Sequence, residues 1–86
     1  MNDQDMEREL RGLLGSVLNL GDRANLLESG SPLLGALPEL DSMAVAALIA
    51  AIEEHFGIVF DDEDLTEDTF ATLGALTAIV RSRRGL

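Results

Sequence analysis

The chain has 86 residues, enough for one domain and too few for two, so we expect residues 1–86 to form a single domain. It contains no cysteine, which excludes disulfides, thiolate nucleophiles and cysteine-based zinc sites. Sixteen acidic residues against six basic ones give a formal net charge of −10. Because such a chain would repel phosphate backbones, nucleic-acid binding is disfavoured.

No stretch of the sequence predicts a membrane span. The longest uncharged apolar run, residues 42–52, is far shorter than the ~20 residues that a spanning helix needs. The acidic residues Asp3 and Asp5 argue against a secretory signal peptide at the N-terminus. We therefore expect a cytoplasmic protein, which also agrees with the absence of cysteine.

The first predicted element is a helix over residues 3–20. Its apolar residues recur at the spacing of one helical face and are Met6, Leu10, Leu13, Leu14, Val17 and Leu18. Asp3 or Asp5 is placed to cap the helix start or to favour it through the free amides and the helix dipole. Gly21 is the predicted stop.

A long connection follows over residues 22–40. Its glycines and prolines are typical of turns, but a solvated linker has no need of the six leucines that it also contains. These are Leu26, Leu27, Leu33, Leu34, Leu37 and Leu40. The pattern predicts a loop that packs across the core and includes a short helical turn.

The second predicted helix runs from Asp41 to Phe56. Asp41 is a suitable N-cap and Gly57 a suitable end. Apolar residues at helical spacing predict the core face, and they are Val45, Leu48, Ile49, Ile52 and Phe56. Met43 and several alanines extend the apolar surface around the helix. One face of small residues must therefore pack against the protein or dock onto a partner.

The last third of the chain predicts two more helices. Residues 58–60 are expected to be an extended segment that fills the core, and residues 61–64 an acidic turn. Thr66 is the predicted cap of a short helix through Phe70, and Thr72 the cap of a final helix. The expected fold class is thus all-α: a four-helix bundle with a long loop between helices one and two and a short third helix.

Ser42 is the residue whose position suggests a function. It lies in the first turn of the second helix, where free amides and the helix dipole favour a phosphate. A catalytic serine needs a base, but the single histidine, His55, would lie roughly 20 Å away along the same helix, and there is no lysine. Any chemistry at Ser42 must therefore come from another enzyme, and no catalytic residue is predicted. An Asp-Ser pair also opens many helices merely as a cap, so the motif needs context.

Residues 37–43, Leu-Pro-Glu-Leu-Asp-Ser-Met, and 52–58, Ile-Glu-Glu-His-Phe-Gly-Ile, supply that context. The two stretches and the helix between them closely resemble the acyl carrier protein and peptidyl carrier protein family. The resemblance extends over nearly the whole chain. It implies a bundle of the acyl-carrier type and a 4′-phosphopantetheine linked to Ser42, with Asp41 and Met43 as flanking motif residues. A phosphopantetheinyl transferase would attach the group from coenzyme A.

The resemblance further implies a stand-alone monomeric carrier that holds acyl or aminoacyl cargo as a thioester. Its partners would be a loading ligase or transferase and downstream biosynthetic enzymes. Carriers of fatty-acid synthesis in this family present acidic side chains on the outer face of helix two, whereas here no charged residue lies between Ser42 and Glu53. We therefore predict a specialised pathway. The predicted recognition residues are Leu40, Ala44, Val45 and Ala47.

The main alternative from another class is an acidic helical interaction module that docks through its apolar second helix and leaves Ser42 unmodified. A small hydrolase is poorly supported because no base is within reach of Ser42. No metal site is predicted. The acidic turn lacks the spaced ligands and central glycine of a calcium loop, and His55 has no further nitrogen or sulfur ligands.

Overall fold

The computed structural model describes residues 2–85, which form three α-helices and two short 3-10 helices. The α-helices are α1 (Asp3–Val17), α2 (Ser42–Phe56) and α3 (Leu73–Arg84). The 3-10 helices span Gly21–Leu26 and Asp62–Asp64. Because α1 packs against both α2 and α3, it forms the centre of the bundle. The predicted all-α fold class is confirmed, and no helix of the described part is long and apolar enough to cross a membrane.

The end of α1 differs from the prediction. The helix stops at Val17, three residues before the predicted end at Leu20. Asn19 has a left-handed φ of 56°, and the Leu20 amide donates to the Gly15 carbonyl at 3.0 Å. This hydrogen bond closes the helix C-terminus, where asparagine can replace the usual glycine. The prediction was wrong because it took the first glycine, Gly21, as the stop.

The helix starts agree better with the sequence. α2 begins after the cap Asp41 and ends at a left-handed Gly57, and α3 begins after the cap Thr72, all as predicted. For α1 the predicted aspartate caps are wrong. The cap is Asn2, whose side chain accepts the Asp5 amide at 2.8 Å, so that both aspartates lie in the first helical turn.

The core is mainly aliphatic, also contains the three phenylalanines, and takes one face from each α-helix. Its most deeply buried side chains are Met6, Leu10, Leu14, Leu33, Leu48, Ile52, Leu73, Leu76 and Val80. Burying each of these side chains contributes about 1.5–3 kcal/mol relative to leaving it exposed. A chain of this size depends on these contacts, because no disulfide is available to it.

The connection between α1 and α2 does pack across the core. Five of its leucines are buried, namely Leu18, Leu20, Leu27, Leu33 and Leu40. The loop is also tied to the segment before α3, since the Leu33 amide donates to the Ala71 carbonyl at 2.9 Å and the Leu34 amide to the Phe70 carbonyl at 3.0 Å. These hydrogen bonds and the buried leucines therefore hold the loop in a defined position close to Ser42.

The short helix between α2 and α3 differs from the prediction in its position and in its type. The 3-10 helix Asp62–Asp64 precedes the predicted span, and residues 66–71 form successive turns. The hydrogen bonds there join residues three apart, as from the Thr69 amide to the Thr66 carbonyl at 3.2 Å. That spacing gives 3-10 geometry instead of an α-helix. Residues 58–60 form neither a helix nor a strand, and Ile58 and Phe60 are buried, so the segment fills the core as predicted.

Each of the six arginines contacts a partner within the chain. The pairs are Arg8 with Asp5, Arg11 with the Leu27 carbonyl, Arg23 with Glu39, Arg81 with Asp3, Arg83 with Asp61 and Asp64, and Arg84 with the Phe56 ring. Each arginine thus makes an intramolecular contact. The exposed surface therefore carries an excess of carboxylates, which favours approach to basic surfaces.

The ion pair between Arg83 and Asp64 makes the fold sensitive to acid. The guanidinium, and next the Asp61 amide, hold the pKa of the Asp64 carboxyl below its usual value. A carboxyl with a lower pKa in the folded state stabilises the fold above its unfolded pKa, and this stabilisation is lost as the pH falls through the folded pKa.

We therefore expect Asp64→Asn to lower the urea midpoint at about pH 7 and to have less effect at about pH 3, because protonation of Asp64 weakens the wild-type pair as the pH falls. Urea unfolding across this range checks the prediction. Glu63→Gln is the matched control, since the described residues contain no ion pair to Glu63. An equal loss of stability for Asp64→Asn at both pH values would contradict it.

Candidate functional site

Ser42 is the first residue of α2, and its side chain is exposed. The Ala44 amide donates to the Asp41 side chain at 2.8 Å, and the Val45 amide donates to the Asp41 carbonyl at 2.9 Å. The helix provides no acceptor for the two amides before them, those of Ser42 and Met43. Together with the positive end of the helix dipole, these amides favour an anion beside the Ser42 hydroxyl.

A cavity of about 710 Å³ opens beside Ser42. The loop before α2 contributes Leu34, Gly35 and Leu40, the first turns of α2 contribute Asp41 and Val45, and Glu67 lines it from the segment before α3. Apolar side chains and two carboxylates thus surround the hydroxyl. A flexible chain attached to Ser42 has room to lie against the protein here.

The loop in front of Ser42 is also held by an ion pair. Arg23 in the first 3-10 helix bonds to Glu39, three residues before Ser42. A backbone hydrogen bond and then the Arg23 guanidinium hold the pKa of Glu39 below its usual value. The pair therefore fastens residues 37–41 to the opposite end of the long connection.

The predicted recognition residues do not all reach the surface. Leu40 is only 5% exposed and belongs to the core, so its assignment to partner recognition is corrected. Although Leu40 is only two residues before Ser42, its side chain is buried. Ala44 and Val45 are half-buried and pack against the core, whereas Ala47 is exposed.

The exposed side of α2 is an uncharged face that we call the α2 alanine face. It consists of Met43, Ala46, Ala47 and Ala50, all of them exposed. Met43, which was predicted only as a motif flank, is the most prominent, at 83% exposed. Ala46 and Ala50 were not among the predicted recognition residues. Their spacing of three and seven residues from Met43 is the signal that places them on one helix face.

No histidine lies near Ser42. The single His55 is at the opposite end of α2, where its Nε2 is 3.0 Å from a carboxylate oxygen of Glu9 in α1. This pair joins two helices and leaves no imidazole that could activate the serine. The hydroxyl can therefore be a point of attachment but has no histidine to make it a nucleophile.

Two comparisons agree with this geometry. The family model "phosphopantetheine attachment site" matches residues 8–80. The solution structure of a holo acyl carrier protein from Nitrosomonas europaea is 46% identical, covers 96% of this chain and 99% of its own, and superposes with a TM-score of 0.89. No curated protein was found to match. Since the family model covers most of its length, this chain belongs to the phosphopantetheine-attachment family of acyl-carrier type, whose members are carriers of covalently attached 4′-phosphopantetheine and not enzymes.

Proposed function

We propose that Ser42 is the attachment residue and that the chain carries acyl or aminoacyl groups between enzymes. The observation that supports this proposal is the exposed hydroxyl in the first turn of α2, beside free amides and an open cavity. The site fits the group, because the helix start favours a phosphate and the cavity has room for a flexible arm. When bound, the arm supplies a thiol that holds cargo as a thioester.

The residues of the chain position the group and do not catalyse its transfer. Asp41 holds the first turn of α2 in place by accepting a hydrogen bond from the Ala44 amide, and the two free amides would favour the phosphate of the group. Because no histidine is near Ser42, a phosphopantetheinyl transferase must supply the catalytic groups and coenzyme A the donor. A loading enzyme and a downstream enzyme complete the set of partners.

The test is a change in mass. The purified chain is incubated with coenzyme A and a promiscuous phosphopantetheinyl transferase, and we expect it to gain the mass of one phosphopantetheine. A chain that stays unmodified while a reference carrier is fully converted would contradict the proposal. That result would favour the unmodified interaction module instead.

We also propose that the carrier serves a specialised pathway and not housekeeping fatty-acid synthesis. The α2 alanine face supports this, because it offers methyl groups where a partner that reads carboxylates would need negative charge. We expect the holo form to accept malonyl groups from a fatty-acid malonyltransferase several-fold more slowly than a fatty-acid carrier does. Adding charge with Ala46→Glu and Ala47→Glu should raise the rate.

Initial rates of malonyl transfer measured at low and high salt check this prediction. Gln4→Glu, which adds one charge on the exposed side of α1, is the control for a general effect of charge. Wild-type rates equal to those of the housekeeping carrier would contradict the pathway proposal. They would leave the attachment at Ser42 intact.

A further inference from the structure

A second groove, of about 380 Å³, lies between α3 and the segment that precedes it. We call it the α3 groove. Its floor consists of Ala75, Ala78 and Ile79, and its rim includes the carboxylates of Glu63 and Asp68. None of the residues that line it also lines the cavity beside Ser42. It is therefore a separate feature of the surface.

The hydrogen-bonding groups of the α3 groove are largely engaged within the protein. Asp64 pairs with Arg83 at 2.6 Å, and the Thr69 hydroxyl donates to the Asp64 carbonyl. The Thr66 hydroxyl contacts that of Thr69 at 3.3 Å. A polar small molecule would thus find few convergent partners, whereas the apolar floor, with Ala78 exposed and Ile79 half-buried, can receive an apolar side chain.

The charge around the groove is strongly negative. Residues 61–68 contain six carboxylates. Among the described residues, Arg83 is the cation that pairs with this segment, and it reaches Asp61 and Asp64. Glu63 and Asp68, at the rim of the groove, have no cation within ion-pair distance in residues 2–85. An apolar centre inside a charged rim is the usual anatomy of a protein interface.

We propose that the α3 groove docks a basic segment of a partner protein. One apolar side chain of that segment enters the groove, and flanking arginines or lysines face the rim carboxylates. The volume is near the lower end of the ~300–1,000 Å³ of ligand pockets, which suits one or two side chains and not a large ligand. The rim charges would speed association, and the apolar contact would slow release. This docking does not depend on modification of Ser42.

The test uses two capped peptides and the full-length chain labelled with nitrogen-15. The probe peptide is Arg-Arg-Gly-Leu-Gly-Arg-Arg, and the comparison peptide has glycine in place of leucine. We expect the leucine peptide to cause saturable shifts of the amide signals at Thr69, Ala75 and Ile79, and to bind about tenfold more tightly than the leucine-free peptide. Residual binding of the leucine-free peptide should vanish at high salt.

Replacing an alanine with glutamine at two positions distinguishes binding in the groove from binding at other surfaces. Ala78→Gln fills the floor without adding charge and should weaken binding of the leucine peptide about tenfold. Ala47→Gln, the same change on the α2 alanine face, and Ser42→Ala should leave binding unchanged. Equal affinity for both peptides, equal weakening by Ala47→Gln, or shifts centred on the cavity beside Ser42 would each overturn the proposal.

Discussion

Ser42→Ala is expected to abolish phosphopantetheine loading completely while the bundle stays folded. The substitution removes the proposed acceptor oxygen. The Ser42 side chain is exposed and contributes nothing to the core, and alanine is favourable within a helix. The cap of α2 is the preceding residue, Asp41, and it is unaffected. Intact-protein mass after incubation with coenzyme A and the transferase measures loading, and thermal unfolding measures stability.

Ser16→Ala is the matched control, because Ser16 is an exposed serine within α1. It should gain the same mass as the wild type at the same rate. If Ser42→Ala still gained this mass, another hydroxyl would be the acceptor. If the variant unfolded, Ser42→Thr would test whether a hydroxyl is needed in a folded chain, since it retains an oxygen at the same helix position.

Two glycines of α1 are expected to respond differently to the same substitution. An added Cβ at Gly12 would meet no atom within 4 Å, so Gly12→Ala should stabilise the helix by about 1 kcal/mol. An added Cβ at Gly15 would lie 2.8 Å from the Ala24 Cβ of the first 3-10 helix. Such overpacking costs about 1–3 kcal/mol, which offsets or exceeds the gain in helix propensity.

Urea unfolding of the two variants measures this difference, with Gly15→Ala expected to be less stable than Gly12→Ala by about 1–3 kcal/mol. The combination of Gly15→Ala with Ala24→Gly removes the opposing methyl group. In that background the Gly15 substitution should become neutral or stabilising. Equal stabilisation by both single substitutions would show that the first 3-10 helix does not pack against α1 as closely as the structure indicates.

The features that the sequence predicted correctly are those that short-range chemistry decides. Asp41 and Gly57 set the ends of α2, and Thr72 sets the start of α3, because each acts on amides or dihedral angles within a few residues of itself. The period of the leucines and isoleucines likewise predicted the core faces. The exposed position of Ser42 follows from the same local rules, as it is the first residue after a cap.

Burial in the long loop could not be read from residue type. Leu26, Leu27, Leu34 and Leu40 are equally apolar, yet Leu27 and Leu40 are in the core while Leu26 is 77% exposed. The difference arises from how the loop crosses the bundle, which its hydrogen bonds to residues 70 and 71 fix. The prediction of Leu40 as a recognition residue was therefore wrong. Met43, which was predicted only as a motif flank, is far more exposed.

By itself, then, the sequence determined that this protein is a helical bundle, where α2 begins and which serine stands at its start, because caps and helical periodicity act over a few residues. Except for Arg8, which pairs with Asp5 in the same helix, tertiary structure alone decided which partners the arginines take, since Arg83 and Asp64, for example, are 19 residues apart. It also decided the 3-10 form of the third helix and created the α3 groove. These features depend on where distant segments meet, and a linear pattern of residue types does not contain that information.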